Sequence, residues 1–284
     1  MKKNRLYVCL LMFYAASQMM AQGLVVHKKD GTTVKYFYES IDSIVTFDYD
    51  EMMKEENNRR TYRIKNISFT MIAVEGGTFT MGATSEQTDA NDDEYPTHKV
   101  TLSDYYIGET EVTHELWDMV MGESYPSSSQ LPVVDVSWND CQEFIARLNE
   151  LTGQNFKLPT EAQWEYAARG GKHSKGYRFS GSNNLEEVAW CSSTSYRKTH
   201  DVKTKFPNEL GLYDMSGNVY EWCSDWYGGY SYGAVTDPTG PSTGEEKVFR
   251  GGNKGCAEKY CRVSYRSKGK TTHKWDGGGF RLAL

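Results

Sequence analysis

From Ile67 onward, short apolar segments alternate with glycine-rich turns, and this alternation constrains the fold more than any other feature. One example begins at Met71 and reads MIAVEGGTFTMG. Apolar runs this short, separated by Gly, favour strands and loops over long helices. The chain also has 26 glycines, 20 tyrosines and 7 tryptophans. Such a composition suits a loop-rich fold held by aromatic clusters better than it suits a helical bundle.

The longest predicted helix begins near Ser137 and continues as DCQEFIARLNELTG. Its apolar residues Phe144, Leu148 and Leu151 fall on one helical face. Gly153 is placed to end it, because glycine readily adopts the left-handed conformation of a helix C-terminus.

Two further helices are expected. One follows Pro159, where Thr160 and Gln163 have the spacing of a capping box. A shorter one is expected over residues 113–121.

The first residues have the pattern of a secretory signal peptide. Three basic residues within the first five precede the apolar stretch Leu6–Tyr14, and small residues follow up to Ala21. The apolar stretch is too short to span a membrane. We therefore expect an exported protein that is soluble after cleavage, in the periplasm, secreted or at the cell envelope, where conditions are oxidising.

Between the leader and the glycine-rich region lies a small segment with β character. Asp30 and Gly31 form a two-residue hairpin signal between β-rich flanks, and a second apolar strand is expected over Ile41–Phe47. The polar string EMMKEENNRR follows and indicates a linker. An alternative is a strand pair docked on the main domain. The predicted divisions are a signal peptide (1–21), a small β unit (22–50), a linker (51–66) and a main domain (67–284).

The charge balance excludes one class of partner. Acidic residues number 38 and basic residues 32, which gives a net charge of −6. A weakly acidic surface argues against nucleic acid as a ligand.

Five cysteines remain after the predicted cleavage. The odd number means that at least one is free or pairs between chains.

Eight strings along the chain carry a family resemblance. In order they are GGTFTMG (76–82), DEYPTHKV (93–100), EVTHELW (111–117), PVVDVSWND (132–140), LPTEAQWEYAARGG (158–171), GLYDMSGNVYEWCSDWY (211–227), RGG (250–252) and GFRLAL (279–284). Together they resemble the formylglycine-generating enzyme (sulfatase-modifying factor) family over about three quarters of the chain. The resemblance implies an α+β fold: a compact mixed α/β domain with little regular secondary structure, related to C-type lectins.

The resemblance also implies a copper site. Oxidase members of the family have two cysteines five positions apart after the RGG turn, and Cys256 and Cys261 match both positions. These thiolates would bind copper(I), since soft sulfur selects a soft metal. The implied reaction is aerobic oxidation of a client-protein cysteine, in a Cys-x-Pro-x-Arg motif, to formylglycine. Two alternatives remain: a disulfide between Cys256 and Cys261, or one between Cys261 and Cys223.

Several residues depart from the oxidase pattern. Asn253, Lys254 and Ala257 replace the usual Ser, aromatic residue and His, and the loop THKWDGGGFR replaces a Ser/Asn-rich one. These departures favour a rival function, a non-catalytic lectin-like module that binds a protein or glycan at the cell envelope.

The string YDMSGNVYEW resembles the family's calcium loop. By position, Asp214 and Glu221 would supply side-chain oxygens, and Gly217 and Val219 backbone carbonyls, the hard ligands that Ca²⁺ requires. The alternative is that Asp214 caps a turn and Glu221 is a surface acid. A second family calcium site is not expected, because Val188 stands where an Asn ligand belongs.

The leader generates the first prediction. Protein recovered from outside the cytoplasm should begin at Gln22, because Ala21 ends the only plausible cleavage region. N-terminal sequencing of that protein checks it, and finding Met1 would reject it.

Overall fold

The computed structural model describes residues 58–122 and 129–284, and the backbone of three earlier strands. The predicted signal peptide, 1–21, lies outside the described residues. Among the residues described, no helix combines the length and apolar character needed to cross a membrane.

Residues 1–57 form one compact unit and residues 58–284 a second. In the first unit, β1 (Gln22–His27) pairs antiparallel with β2 (Thr33–Tyr38), and β3 (Ile44–Val45) pairs parallel with β1. All three strands fall within the stretch expected to be a small β unit. The Asp30–Gly31 turn itself lies outside the described residues.

The second unit is a mixture of short strands and helices. Its strands are β4 (Arg59–Ile64), β5 (Ile67–Val74), β6 (Gly77–Met81), β7 (His98–Leu102), β8 (Tyr105–Gly108), β9 (Ala189–Trp190), β10 (Ser216–Gly217), β11 (Tyr220–Trp226), β12 (Val235–Thr236), β13 (Lys247–Arg250), β14 (Ser267–Gly269) and β15 (Gly278–Gly279). Its α-helices are α1 (His114–Met121), α2 (Trp138–Thr152), α3 (Glu161–Ala168) and α4 (Leu185–Val188). This architecture confirms the predicted fold class.

The second half of the predicted linker belongs to the main domain. Strand β4 pairs antiparallel with β5 over its whole length, from Arg59 opposite Ile72 to Ile64 opposite Ile67. The Tyr62 ring stacks on Phe69 at 5.5 Å between centroids. The prediction of a linker over 51–66 is therefore wrong from residue 58 onward. The arginines of β4 obscure the alternation of polar and apolar side chains by which a strand is recognised in a sequence.

The strands form four small sheets in this unit. The largest has the order β14-β13-β11-β15, and its centre pairs β11 antiparallel with β13. The others are β12-β7-β6, β4-β5-β8 and β10-β9. In the largest sheet, β13 ends at the RGG turn and β11 begins within the predicted calcium loop, one residue before Glu221. The sheet therefore positions both predicted sites.

The helices begin and end where their capping residues predict. Helix α2 has a reciprocal capping box between Ser137 and Asp140 and ends at Gly153, whose φ is 67°. Helix α3 has the capping box of Thr160 with Gln163. Leu151, expected on the buried face of α2, is instead 56% exposed and lies in the last turn of the helix, next to its final residue Thr152.

Four arginines lie inside the core, each bonded to a carboxylate. The Arg250 guanidinium donates to Glu161 and Glu165 on α3, at 2.8 and 2.6 Å. Arg266 also bonds Glu161 through two nitrogens. The other two pairs are Arg262 with Glu94 and Arg281 with Glu221. A buried charge is tolerated only when it is paired in this way, so these bonds fix the elements they join.

The stability prediction concerns α2. Phe144 is fully buried and stacks on Trp117 at 5.2 Å, with Phe280 edge-on at 5.3 Å. Phe144→Ala should therefore lower the free energy of unfolding by about 3–5 kcal/mol. Urea unfolding measures this.

Leu151→Ala is the matched control on the same helix. Its side chain is largely exposed, so its loss should change the free energy of unfolding by about 0.5 kcal/mol or less. Equal effects of the two substitutions would contradict the described packing of α2.

Candidate functional site

The RGG turn brings two distant parts of the chain together. Arg250 ends β13, and Gly251 and Gly252 follow with φ values of 97° and 77°. A Cβ atom on Gly252 would lie 2.8 Å from the Cys261 sulfur and 3.0 Å from the Cys256 sulfur. Position 252 requires glycine for two reasons: glycine adopts this φ without strain, and its missing side chain leaves space for both sulfurs.

Cys256 and Cys261 face one another across this space. Their sulfurs are 3.6 Å apart, and both cysteines are free thiols. Cys261 is fully buried, on a short 3-10 helix (Glu258–Cys261), whereas Cys256 is half-buried. The Asn253 backbone N–H donates to the Cys256 sulfur at 3.2 Å. The contact with Cys261 is the largest cause that lowers the pKa of Cys256. The contacts from Cys191 and Cys256, and then burial, raise the pKa of Cys261 well above its usual range.

Cys191 is a third thiol at the pair, and the sequence did not point to it. It follows β9, is fully buried, and packs with Cys261 in a small apolar cluster that Cys256 borders. Its sulfur lies 3.2 Å from the Ser193 hydroxyl. The Cys261 thiol is the largest cause that lowers the pKa of Cys191, to about 5. The only signal available beforehand was the odd number of cysteines.

The two remaining cysteines of the described residues lie elsewhere. Cys223 packs in the cluster around Trp164, and Cys141 packs in the cluster around Phe144. The alternative disulfide between Cys223 and Cys261 is not formed, because these thiols lie in different clusters.

The residues that depart from the oxidase pattern bond to one another. The Lys254 ammonium donates to the Asp276 carbonyl at 2.6 Å, and the Asn253 amide reaches the Gly277 carbonyl at 3.5 Å. Asp276 and Gly277 belong to the loop that also differs from the family pattern. These contacts join the turn that carries the two cysteines (residues 251–261, the thiol turn) to this loop.

Three tyrosines surround the sulfur pair. Burial raises the pKa of Tyr220, and the nearby Cys256, Tyr265 and Tyr260 raise it further. The Tyr220 ring packs edge-on against Phe249 at 4.9 Å. The tyrosines therefore lie near the pair, and Cys256 is half-buried.

The predicted calcium loop forms a tight turn before β11. Asp214, Gly217 and Asn218 have φ values of 59°, 86° and 58°. Asp214 is 3% exposed, so it is no surface cap; its Oδ2 accepts from the Lys203 backbone N–H at 2.9 Å. Its Oδ1 is buried without a hydrogen-bond partner, which leaves one hard oxygen for a cation.

Glu221 is fully buried rather than a surface acid. Its two oxygens accept from Arg281 at 2.6 Å each, and the Trp164 indole N–H donates to Oε2 at 2.7 Å. A calcium ion bound to Glu221 would therefore share its carboxylate with the Arg281 guanidinium.

Glu111 joins this group, and the sequence did not identify it. Its oxygens accept from the Asn218 side chain at 2.8 Å and from the Val219 backbone N–H at 3.1 Å. Burial, Asp214 and Glu221 raise its pKa well above the usual range, and burial raises the pKa of Asp214 to about 6.

Three buried carboxylates thus surround one guanidinium, that of Arg281. The raised pKa values of Glu111 and Asp214 mean that these carboxylates lack enough positive charge nearby. Together with the unpartnered Asp214 oxygen, this fits a divalent cation that would be bound by Asp214, Glu221 and the carbonyls of Gly217 and Val219. Among the described residues, no three His, Cys, Asp or Glu side chains are grouped to hold a metal by themselves. Backbone carbonyls would have to complete the set. Val188, at the position of the second family site, is buried among apolar residues.

Comparisons with known proteins agree with this arrangement. The sequence profile of the "Sulfatase-modifying factor enzyme 1-like domain" matches residues 61–284. The formylglycine-generating enzyme of Streptomyces coelicolor is 36% identical over 170 residues, which cover 54% of this chain and 52% of that enzyme. The chain therefore spans about half the length of that relative.

Two further proteins extend the comparison. The chaperone protein LppX of Paenibacillus barcinonensis is 34% identical over 216 residues, 57% of this chain and 73% of that protein. The solved structure of Treponema denticola variable protein 1 is 32% identical, with a TM-score of 0.70. That match covers 80% of this chain and 98% of the Treponema chain. These matches confirm the resemblance and the fold class that the sequence predicts.

The carboxylate group generates a prediction about calcium. Adding calcium after chelation should raise the melting temperature, because a ligand that binds only the folded state stabilises it by about 2.7 kcal/mol at a hundredfold excess over its Kd. Asp214→Ala should abolish this rise, since it removes the unpartnered oxygen. Thermal unfolding with and without calcium measures both.

Asp201→Ala serves as the control, because Asp201 is exposed and lies on the neighbouring loop. This variant should respond to calcium as the unchanged protein does. If calcium does not change the melting temperature of the unchanged protein, the calcium site is rejected.

Proposed function

Because this chain belongs to the sulfatase-modifying factor enzyme 1-like family, we propose that it is a copper-dependent oxidase that converts a cysteine of a client protein to formylglycine. The 3.6 Å approach of two free thiols, Cys256 and Cys261, carries the proposal. Family membership supports a sulfatase-modifying-factor-like function, and the thiol pair supplies the chemistry for this particular reaction.

The thiol pair suits copper(I) as a donor set. Two thiolates offer the soft ligands that copper(I) prefers over harder oxygens. Cys261 would hold the metal from the buried side and Cys256 from the accessible side. When bound, copper(I) supplies a soft centre for the client thiolate and for oxygen.

The surrounding residues have separate roles in this proposal. The Asn253 backbone N–H, bonded to Cys256, stabilises that sulfur as a thiolate. Tyr220, which lies near the pair, would restrict access of water to it. Gly252 leaves the space through which the two sulfurs meet.

Calcium has a structural role in the proposal. Bound by Asp214, Gly217, Val219 and Glu221, it would neutralise the buried carboxylates. Strand β11 begins within this set and pairs with β13, which leads into the thiol turn. Filling the calcium site would thereby hold the turn in place.

The client is proposed to be an unfolded protein segment with a Cys-x-Pro-x-Arg-like motif. The cysteine of an extended segment can reach the half-buried Cys256 thiol without entering a deep pocket. The leader pattern supports a location for this activity outside the cytoplasm, in the periplasm, at the cell envelope or in the medium.

A non-catalytic binding module is the second candidate function. It is favoured by the Lys254–Asp276 contact, which ties the thiol turn to the neighbouring loop. Exposed aromatic rings also suit a protein or glycan ligand, and Tyr196 is 88% exposed. Its partner would be an envelope protein or glycan.

The deciding experiment uses reduced protein loaded with one equivalent of copper(I). The oxidase should consume oxygen and convert the cysteine of a Cys-x-Pro-x-Arg peptide to an aldehyde, detected by mass spectrometry. Cys256→Ser and Cys261→Ser should each lose copper and activity, because a hydroxyl is a hard ligand that does not replace a thiolate on copper(I).

Cys223→Ala is the matched control, since Cys223 is equally buried but lies in another cluster. It should retain copper binding and peptide oxidation. If the unchanged protein does not bind copper and leaves the peptide unmodified, the result supports the binding module. Cys261→Ser would then lose about 2–4 kcal/mol of stability if its thiol forms a disulfide.

A further inference from the structure

The segment after β9 runs directly along the thiol turn. The Ser192 backbone N–H donates to the Cys256 carbonyl at 3.0 Å, and the Ser195 hydroxyl donates to the Lys254 carbonyl at 2.5 Å. Cys191 also bonds Thr194 within its own loop, through its backbone N–H at 2.9 Å. These bonds hold the Cys191 loop and the thiol turn against each other as one unit.

Cys261 occupies the central position among the three thiols. Its sulfur lies 3.6 Å from that of Cys256, and it packs against Cys191 within the same apolar cluster. Both Cys191 and Cys261 are completely buried, whereas Cys256 is half-buried at the edge of the cluster. A disulfide at Cys261 can therefore form on either side of the same sulfur.

We propose that Cys191 is a resolving thiol: it takes over the disulfide that Cys261 forms with Cys256 and so releases Cys256 as a free thiol. The inference does not depend on copper or on the oxidase reaction. It goes beyond that reaction, because it gives the site a second, redox-controlled state built from this chain's own third cysteine.

The first step is an oxidation by a low-molecular-weight disulfide. Cys256 attacks the small disulfide and forms a mixed disulfide, and one small thiol leaves. Cys261 then attacks the Cys256 sulfur, and the second small thiol leaves. Two electrons have passed to the small disulfide, and the Cys256–Cys261 bond has formed.

The second step is an exchange without net oxidation. The Cys191 thiolate attacks the Cys261 sulfur, the Cys191–Cys261 bond forms, and the Cys256–Cys261 bond breaks. Cys256 leaves as a thiolate and takes up the proton that Cys191 gave to solvent. The product has its disulfide in the buried cluster, where reductants have little access, and its thiol at the accessible edge.

The two states differ in what they can bind. In the reduced state, Cys256 and Cys261 are both available to a soft metal or a client. In the exchanged state, Cys256 alone is available, as a single accessible nucleophile. The oxidation state of the surroundings would therefore switch the site between a paired and a single thiol.

The test maps disulfides after oxidation of the purified full chain with glutathione disulfide. Free thiols are blocked with N-ethylmaleimide in acid, and the protein is digested with trypsin. Lys259 separates Cys256 and Cys261, so the three cysteines fall in different peptides: 179–197, 255–259 and 260–262. We expect 179–197 linked to 260–262, with 255–259 carrying the maleimide.

The variants make the result decisive. In Cys191→Ser, the link should move to 255–259 with 260–262, and the maleimide on Cys256 should be lost. In Cys256→Ser, glutathione disulfide should leave 179–197 and 260–262 unlinked, because the two buried thiols then have no accessible thiol to start the oxidation. A 179–197 link in this variant would show that Cys256 does not start the relay. Cys141→Ser, a buried cysteine in another cluster, should give the unchanged pattern.

Any other pattern in the unchanged protein overturns the proposal. If Cys256–Cys261 is the final disulfide and Cys191 carries the maleimide, Cys191 does not resolve it. A protein in which peptide 260–262 remains unlinked after oxidation rejects the relay altogether. Loss of the copper-dependent activity described above would leave this result unaffected, so the two proposals fail separately.

Discussion

Paired charge inside the core is the constraint on which the rest of this structure depends. Arg250, Arg262 and Arg281 are completely buried, and each guanidinium bonds a buried carboxylate. Removing one partner of such a pair leaves an uncompensated charge and costs about 3–5 kcal/mol. Arg250 also stands directly before Gly251 and Gly252, so its bonds to α3 hold the start of the thiol turn. With few long elements to pack, the domain uses these bonds to fix the positions of its loops.

The two halves of the functional region differ in how far the sequence could predict them. Cys256 and Cys261 are five positions apart beside a turn, so a local motif was sufficient to pair them. Cys191 reaches the same cluster only through the pairing of β9 with β10 and its contacts with the turn, and neither leaves a local pattern. Glu111 was missed because its string EVTHELW served only as one of the strings of the family resemblance, and it lies about a hundred residues from Asn218 and Val219, which it contacts in the structure. The capped helices were predictable because their signals lie within four residues.

The departures from the family pattern acquire a structural explanation when they are considered together. Considered alone, Lys254 and Asn253 are two separate departures from the oxidase turn. In the structure both contact the loop around Asp276 and Gly277, which also departs from the family pattern. The departures on the two segments therefore meet in one contact.

The pairs that close the core join residues far apart in the chain, and this has a consequence for how the domain reaches its native state. Arg262 and Glu94 are separated by 168 positions, and such contacts form only after a large loss of chain entropy. Folding of this domain should accordingly be slow. Until it is complete, nothing keeps Cys141 and Cys223 away from the three thiols of the site. In an oxidising compartment the order of events then matters: a cysteine that reacts before the arginines reach their carboxylates can trap the chain with the wrong partner.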